Sequence, residues 1–126
     1  MNQRHQIAET SHGPIEYLLK GAGEKTCLLL HGGHSNCFYV FGIGAILDAG
    51  MSALIPSRPG YGKTPATVGK SASEAAAAIV TLLDTLSIAS VSVIAISAGG
   101  PTGIYLAALY PERVDRLILE SAVTKR

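Results

Sequence analysis

Two cysteines in a chain of 126 residues are too few for a disulfide framework. Cys27 lies in an apolar run and Cys37 in an expected loop, the pattern of two free thiols in a reducing cytoplasm. Charge is sparse, with Asp, Glu, Lys and Arg making up 15% of residues and a net charge of +1. There is no basic run to follow a phosphate backbone, which argues against a nucleic-acid partner. Long hydrophobic stretches are also missing. The longest, from Phe38 to Leu47, stops at Asp48 and is too short to span a bilayer. The amino terminus leads into no apolar segment of the kind that a secretory signal needs. These absences point to one cytoplasmic globular domain, residues 1–126, with no membrane contact. No repeat, low-complexity tract or linker divides it.

What is present is a series of short apolar runs bounded by turn residues: Cys27–Leu30, Ala53–Ile55, Val91–Ile96 and Leu117–Leu119. They do not alternate polar with apolar residues, as expected of parallel strands covered on both faces. Ahead of them, Ile15–Leu19 alternates more plainly and follows the turn-like Ser11-His12-Gly13-Pro14. With a weaker run near Ile7, this predicts an antiparallel hairpin feeding the parallel sheet. Helical spacing is clearest over Ser73–Leu86. There Ser71 and Glu74 have capping-box spacing, and Ile79, Leu82, Leu83 and Leu86 form one apolar stripe. A second helix is expected from about Ala98 to Tyr110, stopped by Pro111, and a third over Phe38–Ala49 with Gly50 as its stop. The fold class is therefore α/β, a mostly parallel sheet with helices on both faces and an amino-terminal antiparallel hairpin. The sequence ends soon after Leu119 with no helix to cover the last strand, so the domain reads as incomplete, its last strand an open edge.

Chemistry concentrates in three segments that each follow a strand. Val91-Ser92-Val93-Ile94-Ala95-Ile96 runs into Ser97-Ala98-Gly99-Gly100, a strand-to-helix turn of small residues in which Ser97 can occupy a nucleophile elbow. Ala95 replaces the first glycine of G-x-S-x-G and still fits sterically. The helix that follows would turn the N–H of Ala98 toward a developing oxyanion. His31-Gly32-Gly33-His34 follows Cys27–Leu30, and an N–H near Gly33 is the natural second donor. Arg58-Pro59-Gly60-Tyr61-Gly62-Lys63-Thr64 follows the next strand.

In that order, the three segments resemble the amino-terminal half of the α/β-hydrolase fold superfamily, over about Ile15 to Val123. Pro111-Glu112-Arg113-Val114-Asp115-Arg116-Leu117-Ile118-Leu119-Glu120-Ser121 resembles the segment leading those enzymes into their next strand. The resemblance implies a serine hydrolase acting on a small-molecule ester or amide rather than an aspartate-nucleophile dehalogenase. It assigns Ser97 as catalytic nucleophile, Gly33 and Ala98 as oxyanion donors, and residues 58–62 only as a loop near the site. No cofactor is implied, and no residue spacing indicates a metal site.

In this family the triad runs Ser, then Asp or Glu, then His. No histidine follows Ser97; His5, His12, His31 and His34 all precede it. The acids that follow are Glu112, Asp115 and Glu120, and without a histidine Glu120 has nothing to orient. The triad acid and histidine are thus expected from sequence absent here or from a second polypeptide, either a homo-oligomer or a complementing chain. A self-complementing dimer would use His12 or His34. The alternative is a non-catalytic truncated domain that binds a ligand or pairs through its last strand.

Blander readings stand beside these. Ser97 would otherwise be a helix cap, His31 a structural hydrogen-bonding residue and His34 a surface-loop histidine. Gly62-Lys63-Thr64 mimics the end of a P-loop, but the first glycine would have to be Ser57. Gly21–Thr26 precedes a strand instead of following one, and Gly42-x-Gly44 lacks a third glycine.

Overall fold

Strands β1 (Gln6–Thr10) and β2 (Gly13–Lys20) form a hairpin with only Ser11 and His12 between them, Thr10 pairing with Gly13. The Thr10 hydroxyl donates to the Gly13 carbonyl at 2.8 Å and accepts from the His12 N–H at 3.1 Å. The computed structural model describes residues 6–21, 23–30, 43–57, 64–96 and 99–120. Beyond the hairpin come β3 (Thr26–Leu30), α1 (Ile43–Asp48), β4 (Ser52–Pro56), α2 (Ala72–Thr85), β5 (Val91–Ile96), α3 (Gly100–Leu109) and β6 (Val114–Glu120). Short 3-10 turns lie at Ala66–Val68 and Pro111–Arg113.

The six strands form one sheet in the order β1-β2-β4-β3-β5-β6. The hairpin joins it antiparallel through β2 and β4; β4, β3, β5 and β6 are parallel to one another. This is the expected α/β architecture. The apolar runs fail to alternate because each strand supplies both faces of the sheet. Along β3, Leu28 and Leu30 enter one core cluster while Cys27 and Leu29 enter the other. In β4, Leu54 is set against Ala53 and Ile55 in the same way. Ile79, Leu82, Leu83 and Leu106 cover the first face from α2 and α3, and Ile46 of α1 covers the second.

The exception is β6. Ile118 and Leu119 are 43% and 40% exposed, as expected of a last strand left uncovered, although the run Leu117–Leu119 taken alone reads as covered on both faces. Among the described residues no element lies beyond this edge strand to bury them.

Helix α2 begins as its spacing predicts, one residue earlier than expected. The Ser71 hydroxyl accepts from the Glu74 N–H at 3.2 Å. The Glu74 carboxylate returns to the N–H of Lys70 at 2.7 Å, one residue ahead of the position a capping box would use. The Ile79, Leu82 and Leu83 stripe is buried, and Leu86 packs partly buried beside it. A fully buried leucine contributes about 1.5–3 kcal/mol relative to an exposed one, so this stripe holds α2 down more than helix propensity does.

Two helices end in the same motif. At α1, the N–H of Gly50 donates to Leu47 O and that of Met51 to Ile46 O, with Gly50 at φ 82°. At α2, Ser87 donates to Asp84 O and Ile88 to Leu83 O, with Ser87 at φ 60°. Both are Schellman closures, which place one residue in the left-handed region. Gly50 is thus the helix stop that the sequence indicates; residues 38–42 of the expected helix lie outside the described residues. Helix α3 ends before Pro111 as expected, and its described part starts at Gly100.

Candidate active site

The site is framed by the carboxyl ends of three adjacent parallel strands. Leu28 of β3 pairs in register with Leu54 of β4, and Leu30 of β3 with Ala95 of β5. The described parts of these three strands and their continuations end at Leu30, Ser57 and Ile96. The chain passes from β3 to β4 on one side, then from β4 across to β5 on the other side of β3. Such a switch point opens a crevice at the carboxyl ends of the strands, where open α/β sheets bind ligands. The sequence-assigned residues Gly33, Ser97 and Ala98 follow these ends in the chain, outside the described residues, as do His31, His34 and 58–63. Their flanking residues Leu30, Ser57, Thr64, Ile96 and Gly99 are described.

The connection from β5 to α3 is abrupt. Strand ends at Ile96 and helix begins at Gly100, with Gly99 already at φ −76° and ψ −11°. Pro101 occupies the first turn, where the missing N–H has no partner to lose. Helix α3 can double back this closely because residue 103 is glycine. A Cβ there would stand 2.8 Å from the Ala95 Cβ and 3.2 Å from Leu117 Cδ1. Ala95 itself is fully buried, as is Leu106 one turn further along the helix.

A second cluster was not singled out in the sequence. Glu16, in the middle of β2, is 2% exposed although it is a carboxylate. Its carboxylate accepts from the Ser57 hydroxyl at 2.9 Å. Its carbonyl accepts from the Ser57 N–H at 2.8 Å, and its N–H donates to the Thr64 hydroxyl at 2.9 Å. Ser57 and Thr64 are equally buried. One residue thus holds both flanks of segment 58–63. Buried carboxylates persist only where hydrogen bonds or charges compensate lost hydration. The available signal was a lone acid in an otherwise apolar strand segment, with hydroxyl residues on either side of the segment after β4.

Other chemistry is thin among the described residues. No group of three or more His, Cys, Asp or Glu could hold a metal ion, and no helix is long and apolar enough to cross a membrane. Cys27 is a free, buried thiol whose pKa is pushed up by desolvation.

Comparison with known proteins agrees with this geometry. A family model, the alpha/beta hydrolase fold, matches residues 25–125. The hydrolase YcgS of Bacillus subtilis (strain 168) is 51% identical over 125 residues, covering 99% of this chain and 44% of that protein. A 2-hydroxy-6-oxononadienedioate/2-hydroxy-6-oxononatrienedioate hydrolase of Paraburkholderia phymatum is 34% identical over 113 residues, covering 83% of this chain and 38% of its own length. Among solved structures, an alpha/beta hydrolase fold protein from Nakamurella multipartita superposes with a TM-score of 0.91 at 31% identity, over 98% of this chain and 43% of that one. The epoxide hydrolase VrEH1 from Vigna radiata gives 0.78 at 26% identity, over 93% and 39%. The chain spans less than half the length of these relatives. Sheet order, switch point and strand-to-helix turn, together with these matches, establish that the chain belongs to the alpha/beta hydrolase fold family of hydrolases.

Proposed function

We propose that this chain carries the nucleophile and oxyanion hole of a serine hydrolase that cleaves a small ester or amide by acyl transfer. The observation that carries the reading is the passage from β5 to α3 within three residues, beside the carboxyl end of β3. A serine at the centre of such a turn projects its hydroxyl above the sheet, and the helix start behind it favours negative charge. Ser97 Oγ attacks the carbonyl carbon and its proton passes to a histidine. The tetrahedral oxyanion accepts from the N–H groups of Ala98 and Gly33. Its collapse expels the alcohol or amine, which takes the proton, and water then releases the acid from Ser97. Acid and histidine come from sequence beyond these 126 residues or from a second polypeptide. A hydroxyl rather than a carboxylate at position 97 favours a carbonyl electrophile. The relative named for 2-hydroxy-6-oxo dienedioates acts on a substrate that also bears one.

The test is hydrolysis of p-nitrophenyl acetate and labelling by a fluorophosphonate, with the chain joined to the remainder of the enzyme. Ser97→Ala should lower turnover by about 10³-fold or more and abolish labelling while the fold is retained. Undiminished turnover by that variant would overturn the assignment.

Among the described residues β6 is the edge strand of the sheet, which favours a second reading, in which this strand pairs with a second copy of the chain. Ile118 and Leu119 on it are 43% and 40% exposed. A concentration-dependent dimer in sedimentation, lost in Ile118→Lys and unreactive toward fluorophosphonates, would support that reading instead.

A further inference from the structure

We propose that Glu16 is a positioning residue for the active site, acting through the two flanks of segment 58–63; this rests on the serine hydrolase reading above. Glu16 lies on β2, next to β4 in the sheet and one strand further from β5. It engages Ser57 through both its carbonyl and its carboxylate, and Thr64 through its N–H. Its backbone carbonyl and N–H bonds would survive any side-chain change. The carboxylate contact to the Ser57 hydroxyl, by contrast, depends on the side chain.

A half-exposed backbone contact would hold a chain loosely, but Glu16, Ser57 and Thr64 are all within 2% exposure. Water therefore cannot substitute for a lost partner there. Removing the carboxylate leaves the Ser57 hydroxyl with one acceptor fewer in a dry site, directly where the chain leaves β4 toward the strand ends that frame the crevice. The role asked of Glu16 is to fix where that departure begins. It touches no substrate.

The experiment uses this chain joined to the remainder of the enzyme, carrying either Glu16→Leu, which removes the acceptor, or Glu16→Gln, which retains a carbonyl acceptor for the Ser57 hydroxyl. Hydrogen exchange of the amides at 57–64 is measured alongside the rate of Ser97 labelling by a fluorophosphonate. In Glu16→Leu, exchange at 57–64 should rise about tenfold or more, and labelling should slow by a similar factor, while β3 and β5 keep their protection. Glu16→Gln should restore both. Unchanged exchange at 57–64, or faster exchange with undiminished labelling, would each overturn the proposal. Should Glu16→Leu fail to fold, Ser57→Ala removes the same contact from the other side and is read by the same criteria. If the joined parent enzyme is not labelled at Ser97, the serine hydrolase reading fails there, and the exchange pattern alone decides for or against Glu16.

Discussion

The methyl group of Ala95 lies against Gly103, so closely that a side-chain carbon on the helix would approach it to 2.8 Å. One of these two positions must lack a Cβ for α3 to double back on β5. In a G-x-S-x-G turn the strand side is glycine; here the helix side is.

A coupled pair of substitutions tests this. Gly103→Ala should destabilise the chain by about 1–3 kcal/mol through overpacking against Ala95 and Leu117. Ala95→Gly alone should also cost stability, because it loosens a buried strand. Combined, the two should be less harmful than their sum, with a coupling of about 0.5–3 kcal/mol in urea unfolding. Strict additivity would show that the two residues do not compete for the same space.

That exchange also marks where the sequence could be read and where it could not. The parallel strands were legible because burial on both faces leaves an unbroken apolar run, as in Cys27–Leu30, whatever the neighbouring strand is. Helix α2 was legible because Ser71, Glu74 and the Ile79–Leu83 stripe are local signals. The Glu16 cluster was not, since its partners lie 41 and 48 residues away and only folding brings them together. The run Leu117-Ile118-Leu119 alone reads like any covered strand, and only the lack of a following helix marked β6 as uncovered, as the exposure of Ile118 and Leu119 bears out. Gly33, Ser97 and Ala98 lie outside the described residues, so their assignment follows from motif order and from the strand and helix that flank positions 97 and 98.

The two Schellman closures invite a direct comparison. Gly50 adopts φ 82° at no steric cost, whereas Ser87 adopts φ 60° against the repulsion between its Cβ and the following carbonyl. Ser87 is exposed and its side chain is not needed for either closing hydrogen bond. Ser87→Gly should therefore stabilise the chain by about 0.5 kcal/mol, the relief of backbone strain exceeding the greater unfolded-state freedom of glycine. A rise in melting temperature is the readout, and a fall would mean that the serine is not strained.

Arg113 joins the end of α2 to the start of β6. Its guanidinium donates to Ile88 O at 2.8 Å and Ala89 O at 2.5 Å, and pairs with Asp84 at 2.9 Å. Asp84 is well exposed, so the ion pair itself should contribute little, about 0–1 kcal/mol. The two carbonyl contacts matter more, because the arginine is largely buried and the fork fits both acceptors. Asp84→Asn should consequently change stability by less than about 1 kcal/mol, whereas Arg113→Met should cost about 1–3 kcal/mol. Equal effects in urea unfolding would reverse this ranking.

Cys27 makes the chain sensitive to alkaline pH. Burial between β4 and β5 pushes its thiol above the ordinary value, because the thiolate would lose its hydration. Below the unfolded value, about 8.5, both states hold the proton and the group contributes no pH dependence. Above it the unfolded chain releases its proton while the folded chain retains its own. Stability then falls as pH rises, by at most about 1.4 kcal/mol per unit from this group, until the folded thiol also ionises. The informative quantity is the difference between parent and Cys27→Ala. Between about pH 8 and pH 10 the parent should lose stability more steeply than the variant. Parallel curves would mean that the thiol ionises as readily inside the sheet as in the unfolded chain.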